Sequence, residues 1–224
     1  MDARIHMASS MLVCGPAGGG KTSFVIRLIE SAPHTFDAKV SHVYWFYGIE
    51  TAQQPLLTKK GFITYRGLPD DFNFCEHNSV VVLDDLMDTA AHHAGVTDLF
   101  TKQAYHKNLL VIFIQQNLLP RHPDARPRSL NSQYIVLFRS SRDNFQIGVL
   151  GRQIYPSKKH YLLNIYMMVT QTPYSYLFID LHQRTSEFVR FRTHILPSEK
   201  PMFAYVDKHL YANTFPLHLT APAQ

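Results

Sequence analysis

Cysteine is almost missing from this sequence: Cys14 and Cys75 are the only two among 224 residues. Two cysteines cannot build the disulfide framework of a small secreted scaffold, and neither has metal-ligand spacing around it. Cys14 sits in an apolar stretch and reads as a small core residue of a protein from a reducing compartment. Long apolar runs are missing too. None approaches the roughly 20 residues that a bilayer-crossing helix needs, so no membrane role is expected. The sequence holds no internal repeat and no low-complexity tract. The short apolar run near its start leads straight into a Gly-rich loop that signal cleavage would sever, so a secretion signal is rejected.

What is present is globular. Hydrophobic residues make up 46%, aromatics 12% and charged residues 17%, at a length suited to one α/β domain. The charge is uneven. Residues 1–120 hold 9 Lys/Arg against 11 Asp/Glu, whereas residues 121–224 hold 13 against 6. A second half with a net charge of +7 suggests a polyanionic partner.

Apolar bursts alternate with helical patterns, which predicts a mostly parallel central sheet flanked by helices. Strands are expected at Met11–Cys14, Val40–Tyr47, Phe62–Tyr65, Ser79–Leu83, Leu109–Gln115 and Gln133–Arg139. Phe24, Val25, Leu28 and Ile29 recur at helical spacing, giving a helix from about Lys21 to Ser31 that Pro33 ends. Further helices are expected at Thr97–Lys107, Asp143–Tyr155 and Lys159–Thr170, with Met167 and Met168 packed in the core. Tyr176–Asp180 and Glu187–Arg192 read as a small closing antiparallel extension. A single domain over 1–196 and a tail over 197–224 follow.

The strongest motif is Gly15-Pro16-Ala17-Gly18-Gly19-Gly20-Lys21-Thr22, a complete G-x-x-x-x-G-K-[ST] loop between a strand and a helix. Its glycines allow backbone N–H groups to turn inward on phosphate oxygens, and the helix N-terminus adds a positive dipole end. Lys21 is expected to reach the β- and γ-phosphates of ATP, and the Thr22 hydroxyl to bind Mg²⁺. Ser23 completes the nucleotide-binding set. Val80-Val81-Val82-Leu83-Asp84-Asp85 delivers two carboxylates to the end of an apolar strand. Asp84 is assigned to the Mg²⁺ hydration shell, and Asp85 to polarising the water that attacks the γ-phosphate. Val111-Ile112-Phe113-Ile114-Gln115-Gln116 ends another strand in amides, one of which can orient that water. Successive strand residues point opposite ways, so only one of the pair is expected to face the nucleotide.

Residues 121–159 hold Arg121, Arg126, Arg128, Arg139, Arg142, Arg152, Lys158 and Lys159 against Asp124 and Asp143. Such a stretch suits a nucleic-acid backbone or an arginine reaching the γ-phosphate of a neighbouring subunit, with Arg139 and Arg142 the candidates for the latter. His92, His93 and His106 lack the Cys or carboxylate partners that would complete a metal site.

With these residues in hand, the chain resembles the genome-packaging ATPases of the FtsK–HerA superfamily. The likeness is to the compact form carried by Polinton-type, adintovirus and adomavirus elements, and more distantly by virophages and large DNA viruses. The matching landmarks are GPAGGGKT at 15–22, YWFYG at 44–48, VVVLDDLMD at 80–88, LFTKQAYHKN at 99–108 and VIFIQQNLLP at 111–120. They continue as RSLNSQYIVLFRSSRDNFQI at 128–147, RQIYP at 152–156 and YSYLFIDL at 174–181. The resemblance implies a P-loop NTPase of the ASCE (RecA-like) type and an ATP-driven motor. The motor would pump double-stranded viral DNA into a capsid as a homo-oligomeric ring, with capsid protein as a further partner. It also implies that Arg142 is the better finger candidate, and an intracellular (for instance nuclear) or virion-associated place in an infected cell. Alternatives from the residues alone are a replicative DNA helicase or translocase, a nucleotide kinase, or a non-hydrolysing P-loop adaptor. Asp85 and the strand-end glutamines favour an attacking water over a substrate hydroxyl.

Overall fold

The computed structural model describes residues 3–50, 53–86, 89–90, 93–118, 132–140, 142–199 and 201–207. Within them the chain forms one nine-stranded sheet in the order β3-β2-β4-β5-β1-β6-β7-β8-β9. The first six strands are β1 (Ser9–Cys14), β2 (Val43–Tyr47), β3 (Ile63–Arg66), β4 (Val80–Asp84), β5 (Leu110–Gln115) and β6 (Tyr134–Phe138). These six pair in parallel. β7 (Tyr176–Asp180), β8 (Phe191–Thr193) and β9 (Phe203–Tyr205) follow antiparallel. The α/β fold with a mostly parallel sheet and an antiparallel C-terminal extension is therefore as expected.

The sheet is apolar on both faces because helices cover both, as parallel sheets require. Period-two alternation divides the strand residues between the faces. Val13, Trp45, Val82, Ile112 and Val136 share one face with Phe24, Val25, Leu28 and Ile29 of α1 (Lys21–Glu30). The other face holds Leu12, Phe46, Leu83, Phe113 and Leu137. It packs against Ile147 and Leu150 of the helix Asn144–Ile154 and Leu162, Ile165 and Tyr166 of the helix Tyr161–Val169.

Several local expectations give way. Met167 and Met168 are exposed, not core, because Leu162, Ile165 and Tyr166 already fill the inward stripe of that helix. The helix expected over 97–107 starts at Ala94 and contains a π-helical segment, Leu99–Gln103. The wider turn brings Gln103 Nε2 to the carboxylate of Asp98, five residues earlier, at 3.0 Å. Glu187–Val189 is a 3₁₀ turn rather than strand, closed by Arg190 donating to Glu187 at 2.7 Å; β8 begins only at Phe191. Beyond residue 196 the chain adds β9 to the sheet and is tied down by ion pairs from Glu199 to Arg27 and from Asp207 to Lys158.

Candidate active site

Sheet order decides which residues meet. β5 lies between β1 and β4, so the C-terminal edges of all three strands open onto one cleft beside the N-terminus of α1. Open α/β sheets hold their ligands at such strand edges. In register, Cys14 pairs with Gln115, and Asp84 pairs with Ile114. The cleft has a volume of about 310 Å³ and is lined by Ala17, Gly18, Lys21, Thr22, Asp84, Asp85, Gln115 and Gln116, with Ile49, Gln53, Gln54 and Ile114. Three distant segments thus bring Lys21, Thr22, Asp84, Asp85, Gln115 and Gln116 to one place. A larger cavity of about 480 Å³, between Ile5, His34 and Arg192, contains none of these residues.

The loop is shaped by its glycines. Gly20 immediately precedes α1 with φ 94°, a left-handed conformation costly for any side chain, and Phe24 N donates to its carbonyl at 2.9 Å. Lys21 is buried, and its Nζ donates to the carbonyls of Gly15 at 2.8 Å and Pro16 at 2.9 Å. Burial lowers its proton affinity, which the nearby Asp84 and Asp85 carboxylates partly restore. Gly15 packs against Phe138 at the end of β6, whereas Pro16, Ala17 and Ser23 are exposed and Gly19 and Thr22 half-buried.

Asp84 follows Val82 on the α1 face of the sheet. Burial, with Asp85 beside it, pushes its carboxyl up to about 6 against the pull of Lys21. A desolvated carboxylate of this kind suits a divalent cation, which supplies the missing opposite charge. Mg²⁺ binds through one or two carboxylates plus substrate phosphates and keeps several waters, a need that one strand-end carboxylate and a hydroxyl beside the loop can meet. Asp84 and Thr22 would hold it.

Asp85 is exposed and left-handed at φ 54°, a conformation that Asp tolerates better than most residues. Its amide donates to the Ile114 carbonyl at 3.4 Å. The two glutamines differ in a way their sequence conceals. Gln115 is buried, and its Nε2 donates to the Asn117 carbonyl at 2.6 Å and lies 3.6 Å from Cys14 Sγ. Gln116 is exposed. Both line the cleft, because the strand ends at Gln115 and strict alternation ends with it. Burial pushes the Cys14 thiol up to about 12, so it stays neutral, as a core residue should.

Arg139 and Arg142 also differ. Arg139 is exposed but spent on its own chain, donating to the Gln171 carbonyl at 2.7 Å. Arg142 is exposed, and among the described residues its guanidinium has no partner. Lys158 pairs with Asp207, and Arg152 and Lys159 are exposed. Arg121, Arg126, Arg128, Asp88 and His92 lie outside the described residues. The sequence reading missed Gly48, Ile49, Gln53 and Gln54. Their signal was positional, since they follow β2, whose Tyr47 pairs with Asp84.

The fold has a counterpart among solved structures. The DNA-packaging ATPase B204 from Sulfolobus turreted icosahedral virus superposes with a TM-score of 0.50 at 13% identity, covering 81% of this chain and 96% of that one. The chain shares the fold of that ATPase. The genome-packaging NTPase B204 of Sulfolobus turreted icosahedral virus 2, solved with ATPγS, gives 0.49 at 13% identity over the same shares. No protein-family model and no curated protein sequence matches the chain. No helix among the described residues is long and apolar enough to cross a membrane.

Proposed function

We propose that this protein is an ATP-hydrolysing motor that drives double-stranded viral DNA into a capsid, working as a homo-oligomeric ring inside an infected cell or with the virion. The observation that carries the reading is the convergence of Lys21, Thr22, Asp84, Asp85 and Gln116 on one cleft. The loop amides and Lys21 bind the β- and γ-phosphates, releasing Lys21 from the Gly15 and Pro16 carbonyls. Asp84 and Thr22 would hold Mg²⁺, which would supply positive charge against the phosphates. Asp85 accepts a proton from the attacking water, and Gln116, free of the backbone contacts that anchor Gln115, orients it. Arg142 reaches a neighbouring subunit's γ-phosphate and stabilises charge in the transition state. The basic second half of the chain tracks the DNA backbone. The fold likeness to a DNA-packaging ATPase supports packaging over other motor work.

Mixing Lys21→Ala with Arg142→Ala tests the shared site. Each variant alone is expected to lose DNA-stimulated turnover, and a mixture to regain part of it, because each subunit supplies across the interface what its neighbour lacks. A mixture as inactive as its components would remove the trans role of Arg142.

A further inference from the structure

We propose that Tyr174 is the platform on which the base of a nucleoside triphosphate stacks; this rests on the nucleotide-binding reading of the Gly15–Thr22 loop. β5 and β4 lie on one side of β1, and β6 and β7 on the other. A triphosphate seated on the loop with its terminal phosphate toward Asp84 and Asp85 must leave its sugar and base toward β6 and β7. The turn that enters β7 stands there. A Cβ built on Gly20 would lie 3.2 Å from Tyr174 Cδ1 and 3.6 Å from Phe138 Cε1, so the tyrosine ring rests against the loop at the start of α1.

The turn itself is at odds with its own residue. Ser175 N donates to the Thr172 carbonyl at 3.3 Å, closing Thr172-Pro173-Tyr174-Ser175. Proline second and a positive φ third is the signature of a type II turn, whose third position normally belongs to glycine. Tyr174 occupies it at φ 63°. A large aromatic residue takes on that disfavoured conformation without gaining burial, since Tyr174 is 70% exposed, among the highest of the described large hydrophobic residues. Arg139, donating to the Gln171 carbonyl at 2.7 Å, and Ser175 Oγ, donating to the Thr172 carbonyl at 2.5 Å, hold the turn in shape. A rigid, exposed ring in a disfavoured backbone conformation beside a phosphate loop is the kind of local conflict that marks a binding role. Stacking needs only the ring face, and every base offers one in return.

The test compares ATP with inorganic tripolyphosphate, which has the phosphates and no base, by titration calorimetry on wild type, Tyr174→Ala, Tyr174→Phe and Tyr174→Gly. Wild type is expected to bind ATP more tightly than tripolyphosphate. Tyr174→Ala and Tyr174→Gly are expected to weaken ATP about tenfold and leave tripolyphosphate unchanged, whereas Tyr174→Phe keeps ATP affinity. Tyr174→Gly is also expected to keep or raise the melting temperature, because glycine suits the turn. Unchanged ATP affinity in the Ala and Gly variants would overturn the platform while leaving the phosphate loop intact. A wild type that binds neither ligand would overturn the loop reading and the platform together.

Discussion

The Cβ that Gly48 lacks would stand 2.6 Å from the carbonyl oxygen of Asp85, so the end of β2 and the turn after β4 meet backbone to backbone. Gly48 N also donates to the Asp84 carbonyl at 3.1 Å. The two acidic residues at the cleft thus take their position partly from a neighbouring strand with no catalytic group of its own.

A methyl group at Gly48 must therefore displace the Asp85 turn. Gly48→Ala is expected to lower the rate of phosphate release at least about tenfold, since small displacements of a catalytic group are costly. Nucleotide affinity, set by the loop and Lys21, should stay near wild type. Steady-state turnover and calorimetric ATP titration separate the two effects, and equal losses in both would contradict this role.

Gln115 and Gln116 are expected to fail differently. Gln115→Ala removes the amide that satisfies the Asn117 carbonyl and leaves a hole beside Cys14, so its loss belongs to stability, on the order of 1–2 kcal/mol in urea unfolding. Gln116→Ala touches no buried contact and should lower turnover while leaving the unfolding midpoint unchanged. The reverse pattern would move the water-orienting role to Gln115.

Asp84 supplies a pH signature. Its folded carboxyl, held at about 6, lies above the ordinary value of 3.8, so ionising it opposes folding. That cost is absent below the ordinary range, grows as pH rises between the two values and is complete above about 6. In chelator and without nucleotide, Asp84→Asn is expected to gain on the order of 2 kcal/mol near neutral pH. The gain should shrink toward zero near pH 4, within the ordinary carboxylate range. A gain independent of pH would show that the carboxylate is not the source.

Much of this was legible in the sequence because the sheet is buried on both faces. Continuous runs such as Val80–Leu83 and Val111–Ile114 can be little else than interior strands, and the spacing of Phe24, Val25, Leu28 and Ile29 describes α1 to within a residue. The placement of the Gly15–Thr22 loop between β1 and α1, and of Asp84 and Asp85 at the end of β4, was readable because each depends on its neighbours in the chain. What escaped depends on neighbours in space. Nothing near Gly48 says that Asp85 will lie against it, and nothing near Tyr174 says that Gly20 will. The π segment and the exposure of Met167 and Met168 were hidden for a related reason: helical periodicity fixes a stripe, and packing chooses which stripe turns inward. Likewise Arg139 and Arg142 look alike in sequence, and only the folded turn carrying the Gln171 carbonyl separates them.

The most direct measurement is steady-state phosphate release by the wild-type protein with Mg²⁺ and ATP, with and without double-stranded DNA. A motor whose cleft is coupled to DNA predicts turnover that rises several-fold when duplex is added and disappears in Lys21→Ala. Turnover that stays at background with duplex present, or that duplex leaves unchanged, would contradict it.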